Sequence, residues 1–195
     1  MPRDTERRAQ LAEAATDYVL EHGLIGLSLR PLAAEIGTSD RMLLYHFDGK
    51  DDLIATVIST STDRSVEILR SRPRSRGVRR AVLDVWSAMK SAPLDQCSRV
   101  YAEAAALGLL GREPYVTVVK EANERWVAAL VDHLAAAGAD RRAARRAANL
   151  MDAAFMGLLL DLPLAPDDPD QERVARDVAD AVAAFAGQGT SQGRA

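Results

Sequence analysis

Helical periodicity is the feature of this 195-residue sequence that most narrows the choice of fold. Along most of the chain, apolar residues recur at spacings of three and four, as they do on the buried face of an amphipathic helix. Runs in which β-branched and polar residues alternate are nearly absent, and so are the Asn-Gly or Asp-Gly turns that would join them into hairpins. The sequence therefore predicts an all-α fold.

Glycine and proline residues divide the periodic pattern into nine predicted helices. These are residues 4–22, a short helix between Ser28 and Gly37, a second short helix between Ser39 and Asp48, a long helix that ends near Pro73, and residues 76–91, 94–109, 115–137, 141–161 and 169–186. We expect a small N-terminal module over residues 1–55, a helical C-terminal domain over residues 56–186 and a disordered tail over residues 187–195.

Composition and charge exclude several classes of protein. The formal net charge of −3 argues against a protein that coats nucleic acid by bulk positive charge, although it is compatible with a local basic surface. A single cysteine, Cys97, excludes an internal disulfide framework and a four-cysteine zinc module. The longest apolar run, residues 153–160, is too short for a membrane span, and the charged N-terminus is not followed by an apolar signal region. We therefore expect a cytoplasmic protein with no membrane association.

The two short predicted helices have the spacing of a helix-turn-helix. Gly37 lies in the turn between them, where glycine supplies the positive φ that a sharp turn requires. The small side chain of Ala33 allows the two helices to approach closely. Their shared core is expected to consist of Leu32, Ile36, Leu43 and Phe47. Many helical proteins contain such a shape, so the spacing alone leaves open whether this one binds DNA.

The second of these helices presents a distinct outer face. At 100° per residue, Leu43 and Phe47 lie close together on the inner face, and Arg41 and Tyr45 fall roughly opposite. A helix in the DNA major groove reads bases with its N-terminal and outward residues. Arg41 is suited to donate two hydrogen bonds to guanine or to clamp a phosphate. Two flanking residues are of the apolar kind that contacts a thymine methyl, namely Met42 and Leu44.

Hydrogen-bond donors around this helix are candidate phosphate contacts. Lys50 begins the fourth predicted helix, so its charge and the free N–H groups of that helix can point at one phosphate. The other donors at this edge are Ser28, Arg30, Thr38, Tyr45 and His46. Such contacts set affinity and register but carry no base information. Each reading has an alternative, since Lys50 can belong to a solvated face and Arg41 can pair with Asp40.

The charge of the N-terminal module is a contrary observation. Residues 1–50 contain six Lys and Arg but eight Asp and Glu, so the module has a net charge of −2. For DNA binding, the acidic residues Glu13, Asp17 and Glu21 must therefore lie away from the docking face.

The segment from Leu27 to Ile54, LSLRPLAAEIGTSDRMLLYHFDGKDDLI, resembles the DNA-binding module of the tetracycline-repressor (TetR) family of transcriptional regulators. The resemblance covers about the first 55 residues, and the rest is similar to the family only in its all-helical architecture with two long C-terminal helices. It implies a nine-helix fold whose first three helices hold the helix-turn-helix. It also implies a homodimer that binds a palindromic operator in double-stranded DNA and usually represses transcription until a small ligand binds the C-terminal domain.

The resemblance also implies roles for individual residues. Those expected to face the groove are Thr38, Ser39, Asp40, Arg41, Met42 and Tyr45, and those expected to hold phosphates are Ser28, Arg30, His46 and Lys50. Leu44 stands where the family usually has an aromatic residue that touches the DNA backbone, and Arg41 stands where a small residue is common. These departures concern the base preference rather than the way the helix docks.

The eighth predicted helix is apolar over most of its circumference and therefore needs cover on two sides. One stripe is formed by Leu150, Met151, Ala154, Phe155, Leu158, Leu159 and Leu162, and the apolar surface continues over Ala147, Ala153, Gly157 and Leu160. The ninth predicted helix has apolar residues at near-heptad spacing, namely Val174, Val178, Ala181, Val182 and Phe185. Two such helices from each chain would form a four-helix bundle, which predicts a homodimer through about residues 141–186. The alternative is a deeply buried helix in a monomer.

Large side chains between the fourth and eighth predicted helices are candidates for an apolar pocket that binds a small-molecule effector. They are Trp86, Met89, Tyr101, Trp126, Phe155 and Met156. Polar contacts in such a pocket could come from Cys97, Asn123 and His133. Large residues at helical spacing are also typical of plain core, and this alternative stays open.

No arrangement typical of an enzyme or of a metal site is found in the sequence. It has no Gly-rich phosphate loop and no His-Glu-x-x-His motif, and its three histidines, His22, His46 and His133, lie on separate predicted helices. We therefore expect no catalytic residue and no metal ligand. The functional alternative to a DNA-binding regulator is a helical ligand-binding or adaptor protein of the same fold that does not recognise DNA, and the acidic N-terminal module favours it.

Overall fold

A computed structural model describes residues 2–165 and 168–187. Its helices are α1 (Pro2–His22), α2 (Leu29–Glu35), α3 (Asp40–His46), α4 (Gly49–Ser71), α5 (Val78–Met89), α6 (Leu94–Leu109), α7 (Tyr115–Ala136), α8 (Arg141–Asp161) and α9 (Pro169–Gly187). These two ranges contain no β-strand, so the predicted all-α fold with nine helices is confirmed for them. None of the described helices is both long and apolar enough to cross a membrane. Of the predicted tail, Gly187 ends α9 and the rest lies outside the described residues.

The described residues form two compact units. The first unit contains residues 2–65 and 96–123, and thus α1 to α3, most of α4 and α6, and the first part of α7. The second unit contains residues 66–95, 124–165 and 168–187, and thus the end of α4, α5, the first two residues of α6, the rest of α7, α8 and α9. The domain boundary predicted at residue 55 falls within α4 and remains a prediction.

The N-terminal module is formed by α1, α2 and α3, which pack on one another. Leu32, Ala33, Leu43 and Phe47 are at most 2% exposed and form the shared core. Ile36, which was also predicted for this core, is only half-buried at the end of α2. Because α2 and α3 have seven residues each, they are too short to be stable alone, and this shared core holds them in place.

The turn between α2 and α3 has the geometry that the sequence predicts at Gly37. This residue has a φ of +71°, in the left-handed region that favours glycine. The amide of Thr38 donates to the carbonyl of Ala33 at 2.8 Å, and the amide of Gly37 donates to the carbonyl of Ala34 at 3.4 Å. These two hydrogen bonds form a Schellman motif, which satisfies the last carbonyls of α2 and fixes the direction in which α3 begins.

Ion pairs join α1 to α4 within the first unit. Arg8 of α1 donates to both carboxylate oxygens of Asp52, at 3.0 and 2.8 Å. Arg64 of α4 pairs with Glu13 and with Asp17 of α1. Exposed ion pairs contribute little to stability, typically about 0–1 kcal/mol. Their consequence here is that two of the acidic residues of the N-terminal module face a cation on α4.

Trp86 of α5 is the central side chain of the second unit, and it is 2% exposed. Its ring centre lies 5.2 Å from that of Phe155 on α8, and its Nε1–H donates to Glu172 of α9 at 3.0 Å. Lys90 also donates to Glu172, and this hydrogen bond lowers the pKa of the Glu172 carboxyl. The buried indole donor is therefore satisfied by an ionised carboxylate whose charge is itself paired.

The buried faces of α8 and α9 differ from the predicted stripes. In α9, Ala175, Ala179 and Val182 are buried, whereas Val174 is 39% exposed. Because α9 packs on both α5 and α8, its contact faces need small side chains that let the helix axes approach. In α8, Leu150 is 48% exposed although the periodicity assigns it to the main stripe. An apolar surface of both helices is thus left uncovered by the described chain.

Candidate nucleic-acid interface

The outer face of α3 is open to solvent. Tyr45 is 71% exposed, Leu44 47% and Met42 44%, and Arg41 is exposed as well. These side chains surround the face opposite to Leu43, which is fully buried. The predicted orientation of α3 is therefore confirmed. A cation, an aromatic hydroxyl and aliphatic groups on one helix are the residue types that contact base edges and phosphates in a major groove.

Arg41 has no side-chain partner in the described part of the chain: its guanidinium forms no hydrogen bond or ion pair there. The neighbouring Asp40 carboxylate accepts a hydrogen bond from the backbone amide of Arg41 at 2.9 Å. The alternative in which Arg41 pairs with Asp40 is therefore not observed. All five N–H donors of the guanidinium remain available to a ligand of this face.

Tyr45 and His46 lie at the end of α3 and contact each other. Their ring centres are 5.1 Å apart, and the planes meet at 84°, which is an edge-to-face arrangement. His46 is half-buried, and the exposed Tyr45 ring packs against it. The Tyr45 hydroxyl is thereby held on the solvent side of α3.

Lys50 donates a hydrogen bond to the carbonyl of Leu27, which ties the loop before α2 to the first turn of α4. An ammonium group has three donors, so this contact does not use its full capacity. The same turn holds Asp51 and Asp52, and Asp52 accepts a hydrogen bond from the amide of Asp48 at 2.9 Å. The start of α4 thus presents a cation together with carboxylates, and the phosphate contact expected there remains a prediction.

The other predicted DNA contacts differ in how far their polar groups are already used. Ser28 and Arg30 are exposed, and the Ser28 hydroxyl does not cap α2. The hydroxyl of Ser39 accepts a hydrogen bond from the amide of Met42 at 3.2 Å, so Ser39 is the N-cap of α3. Thr38 is half-buried in the turn. The roles of these residues toward DNA remain predictions.

A pair of residues on α6 fixes the end of α1, and the sequence analysis missed it. The Glu103 carboxylate accepts hydrogen bonds from the amides of Leu24 and Ile25, at 2.6 and 2.7 Å. Arg99, one turn earlier, donates to the carbonyl of Leu20. Together they satisfy backbone groups at the end of α1 and in the loop before α2. The only signal in the sequence is an i,i+4 pair of opposite charges, which does not reveal its distant partners.

Comparison with known proteins agrees with this geometry. Residues 11–57 match the model of a family described as bacterial regulatory proteins, tetR family. Residues 11–57 are thus a segment of the chain that is similar to the TetR family. The match contains the whole of α2 and α3 and the turn at Gly37, so the resemblance noted from the sequence is confirmed.

Solved structures extend the likeness in fold beyond the matched segment. A transcriptional regulator from Rhodococcus sp. Rha1 has a TM-score of 0.70 and 24% identity, over 93% of this chain and 96% of that chain. A TetR transcriptional regulator from Legionella pneumophila has a TM-score of 0.69 and 20% identity, over 92% and 97%. The multidrug binding protein EbrR, complexed with imidazole, has a TM-score of 0.61 and 26% identity, over 91% and 94%. No curated protein matches the chain by sequence.

Three of the six residues predicted to line an effector pocket are buried core residues. Trp86, Met89 and Phe155 are at most 3% exposed. Cys97, a predicted polar contact, is also buried. Burial lowers the pKa of His133, another predicted polar contact, because desolvation disfavours the imidazolium.

The other three predicted pocket residues, Tyr101, Trp126 and Met156, are half-buried. The indole Nε1–H of Trp126 donates to Asp152 at 2.9 Å. The hydroxyl of Tyr101, in the first unit, accepts a hydrogen bond from Asn123 at 3.3 Å. These polar groups have partners within the chain, which favours the plain-core alternative.

A cavity of about 330 Å³ lies between α4 and α7 within the first unit. It is lined by Ala55, Thr56, Ser59, Thr60, Pro114, Thr117, Val118 and Glu121, none of which the sequence analysis selected. Its volume is at the lower end of the range of small-molecule sites. Hydroxyl groups and a single carboxylate among apolar side chains suit a small polar or cationic ligand.

Proposed function

We propose that this chain is a sequence-specific DNA-binding regulator of the TetR family, and that it represses transcription from a palindromic operator until a small molecule releases it. The observation that carries the proposal is the outer face of α3. There Arg41 and Tyr45 are exposed and lie opposite the buried Leu43. Because α3 has only seven residues, these side chains lie close to its first turn, which is the part of such a helix that contacts base edges. An α-helix fits the major groove, which is about 12 Å wide.

The ion pairs of α1 weaken the charge argument for an adaptor protein. Glu13 and Asp17 both pair with Arg64, so the cation offsets part of their charge. They lie on α1, whereas the proposed reading residues lie on α3. The net negative charge of the N-terminal module is therefore compatible with a docking face on α3, where charge acts locally.

Selection from a random DNA library with the purified chain tests the proposal. We expect an enriched motif with two inverted half-sites whose centres are one helical turn, roughly 34 Å, apart. Tyr45→Ala should bind the selected motif more weakly because it removes the most exposed of the large hydrophobic side chains of α3. If the unaltered chain enriches no motif, the adaptor function is the correct one.

A homodimer through α8 and α9 is part of the same proposal. Leu150, Ala153, Gly157 and Leu160 recur at spacings of three and four along α8, and all four are exposed. On α9, Val174, Ala181 and Ala184 are exposed in a similar register. Such seams, on helices whose other faces are buried, are typical of a four-helix bundle in which two helices come from each chain.

Placing a charge in this seam should separate the two chains. In Leu160→Arg, each chain would bring an unpaired cation into the bundle, at a cost of about 3–5 kcal/mol per buried charge. We expect the mass in solution to fall to that of one chain, measured by light scattering at micromolar concentration. Leu109→Arg is the matched control, since Leu109 is 89% exposed on α6 and lies outside the seam. An unchanged mass for Leu160→Arg would contradict the proposed interface.

Two observations support control by an effector: a similar protein was solved with a bound small molecule, and this chain has a cavity between α4 and α7. The structure of EbrR holds imidazole. In this chain, α4 supplies four of the residues around the cavity between α4 and α7, and the same helix begins beside Lys50. A ligand that prefers one position of α4 would shift the population of DNA-binding conformations by its difference in affinity. A molecule that fills the cavity but leaves operator affinity unchanged would contradict this step.

A further inference from the structure

Three metal-ligating side chains meet at the ends of α1 and α2. Glu21 and His22 are the last two residues of α1, and Glu35 is the last residue of α2. One ligand atom from each lies within 4.8 Å of the others, and all three residues are exposed. His22 Nε2 and Glu35 Oε1 are 3.1 Å apart. This Glu21–His22–Glu35 cluster lies outside the exposed face of α3.

The distances within the cluster fit a metal ion. Zinc binds imidazole nitrogen and carboxylate oxygen at about 2.0–2.2 Å, so two ligands of a tetrahedral site lie about 3.3–3.6 Å apart. The observed 3.1 Å between His22 and Glu35 is slightly shorter, and both side chains are exposed, so a small movement of either one gives that spacing. A rotation of the exposed Glu21 side chain brings its oxygen from within 4.8 Å to the same spacing. Waters can complete the coordination because the cluster is open to solvent.

The electrostatics of the cluster also favour a cation. In the described part of the chain, neither Glu21 nor Glu35 is paired with a Lys or Arg side chain. Both α1 and α2 end at the cluster, and the C-terminus of a helix carries partial negative charge. Arg99 donates to the backbone carbonyls of Leu20 and Glu21, the second at 3.4 Å, and to neither carboxylate of the cluster.

The orientation of the imidazole is already set. The His22 ring centre lies 4.3 Å from that of Tyr18, one turn earlier on α1. This contact holds the ring with its Nε2 toward Glu35. A ligand that is oriented before the metal arrives loses less conformational freedom on binding.

We propose that Glu21, His22 and Glu35 bind one divalent transition-metal ion, such as Zn²⁺, which joins the end of α1 to the end of α2. An imidazole ligand selects such ions over Mg²⁺ and Ca²⁺, which prefer oxygen ligands alone. Binding replaces the hydrogen bond between His22 and Glu35 and requires the neutral imidazole with its proton on Nδ1, so that the Nε2 lone pair faces the metal. The sequence analysis overlooked the cluster because it sought several histidines together, whereas the third ligand lies 13 residues along the chain.

Calorimetric titration of the tag-free, full-length chain with Zn²⁺ tests this inference. We expect one saturable equivalent per chain, and an affinity at least about tenfold lower in His22→Gln and in Glu35→Gln. His46→Gln is the matched control, since it removes another histidine of the same module outside the cluster. Circular dichroism verifies that each variant retains the helical content of the unaltered chain.

Two outcomes would overturn the inference. One is the lack of a saturable equivalent in the unaltered chain, and the other is an equal affinity in His22→Gln and the unaltered chain. A thermal melt gives a second readout, because a metal that binds only the folded module raises its melting temperature. The rise should occur with Zn²⁺, should disappear in Glu35→Gln and should be absent with Mg²⁺. These measurements contain no DNA, so their result is independent of the proposed regulatory function.

Discussion

Replacing Arg41 with alanine is expected to weaken operator binding by about 1–3 kcal/mol per recognition helix and to relax the base preference at one position of each half-site. The guanidinium is free of partners in the described part of the chain, so its removal breaks no internal contact. A homodimer would present two copies of α3, so the full effect on one operator is about 2–6 kcal/mol. Protein stability should be unchanged because Arg41 is exposed.

Comparison of Arg41→Ala with Arg30→Ala separates base reading from phosphate contact. Arg30 is also exposed, at the start of α2, and is predicted to hold a phosphate. Its removal should weaken binding about equally for all sequences and lower the slope of log affinity against log salt by about one. Fluorescence anisotropy on the selected operator and on single-base variants measures both effects. If Arg41→Ala weakens binding to every variant equally, Arg41 holds the backbone and does not read a base.

The helices and the orientation of α3 could be predicted because they depend on local rules. The spacing of Leu43 and Phe47 indicated which face of α3 is buried, and the structure confirms it. Gly37 and Ser39 act within a few residues of their position, so the turn and the N-cap could also be predicted. Short-range geometry of this kind needs no knowledge of the rest of the fold.

The features that the sequence did not reveal depend on contacts between distant segments. Glu103 bonds to amides 78 and 79 residues away, and no periodicity reports such a pairing. Lys50 contacts the carbonyl of Leu27, 23 residues earlier, whereas the sequence suggested only a phosphate contact or a solvated face. In α9, the choice of Ala175 over Val174 as a core residue depends on which helices lie beside it. Helical periodicity fixes the angle between side chains but not the neighbours that they meet.

The exposure of Leu150 also shows that periodicity alone does not identify which apolar residues of a helix are buried. Periodicity placed this residue on the main apolar stripe of α8, but it is 48% exposed while Met151 is fully buried. One helix turns through 100° per residue, so a broad apolar surface does not determine which part faces the core of its own chain. Which part of α8 is buried follows from its packing against α9 and cannot be read from the periodicity.

Replacing Trp86 with alanine is expected to lower the free energy of unfolding by about 3–5 kcal/mol. The side chain is 2% exposed, its ring packs against that of Phe155, and its Nε1–H is bonded to Glu172. Alanine would leave a cavity beside Phe155 and would remove one of the two donors to Glu172. Since domains are stable by only about 5–15 kcal/mol, much of the variant could be unfolded near 37 °C. Urea unfolding followed by far-UV circular dichroism measures the change.

Two further variants serve as comparisons: Trp86→Phe tests the loss of the indole donor, and Trp126→Ala tests the loss of a tryptophan that is only half-buried. Trp86→Phe keeps most of the ring but removes the indole donor, and the half-exposed Glu172 can then turn to water, so we expect a loss of only about 1 kcal/mol. Trp126 is half-buried, so its removal should cost less than that of Trp86. If Trp86→Ala unfolds at nearly the same urea concentration as the unaltered chain, Trp86 is not core. The effector pocket predicted from the sequence would then replace the cavity between α4 and α7 as the proposed ligand site, because a large residue that contributes little to stability is free to contact a ligand.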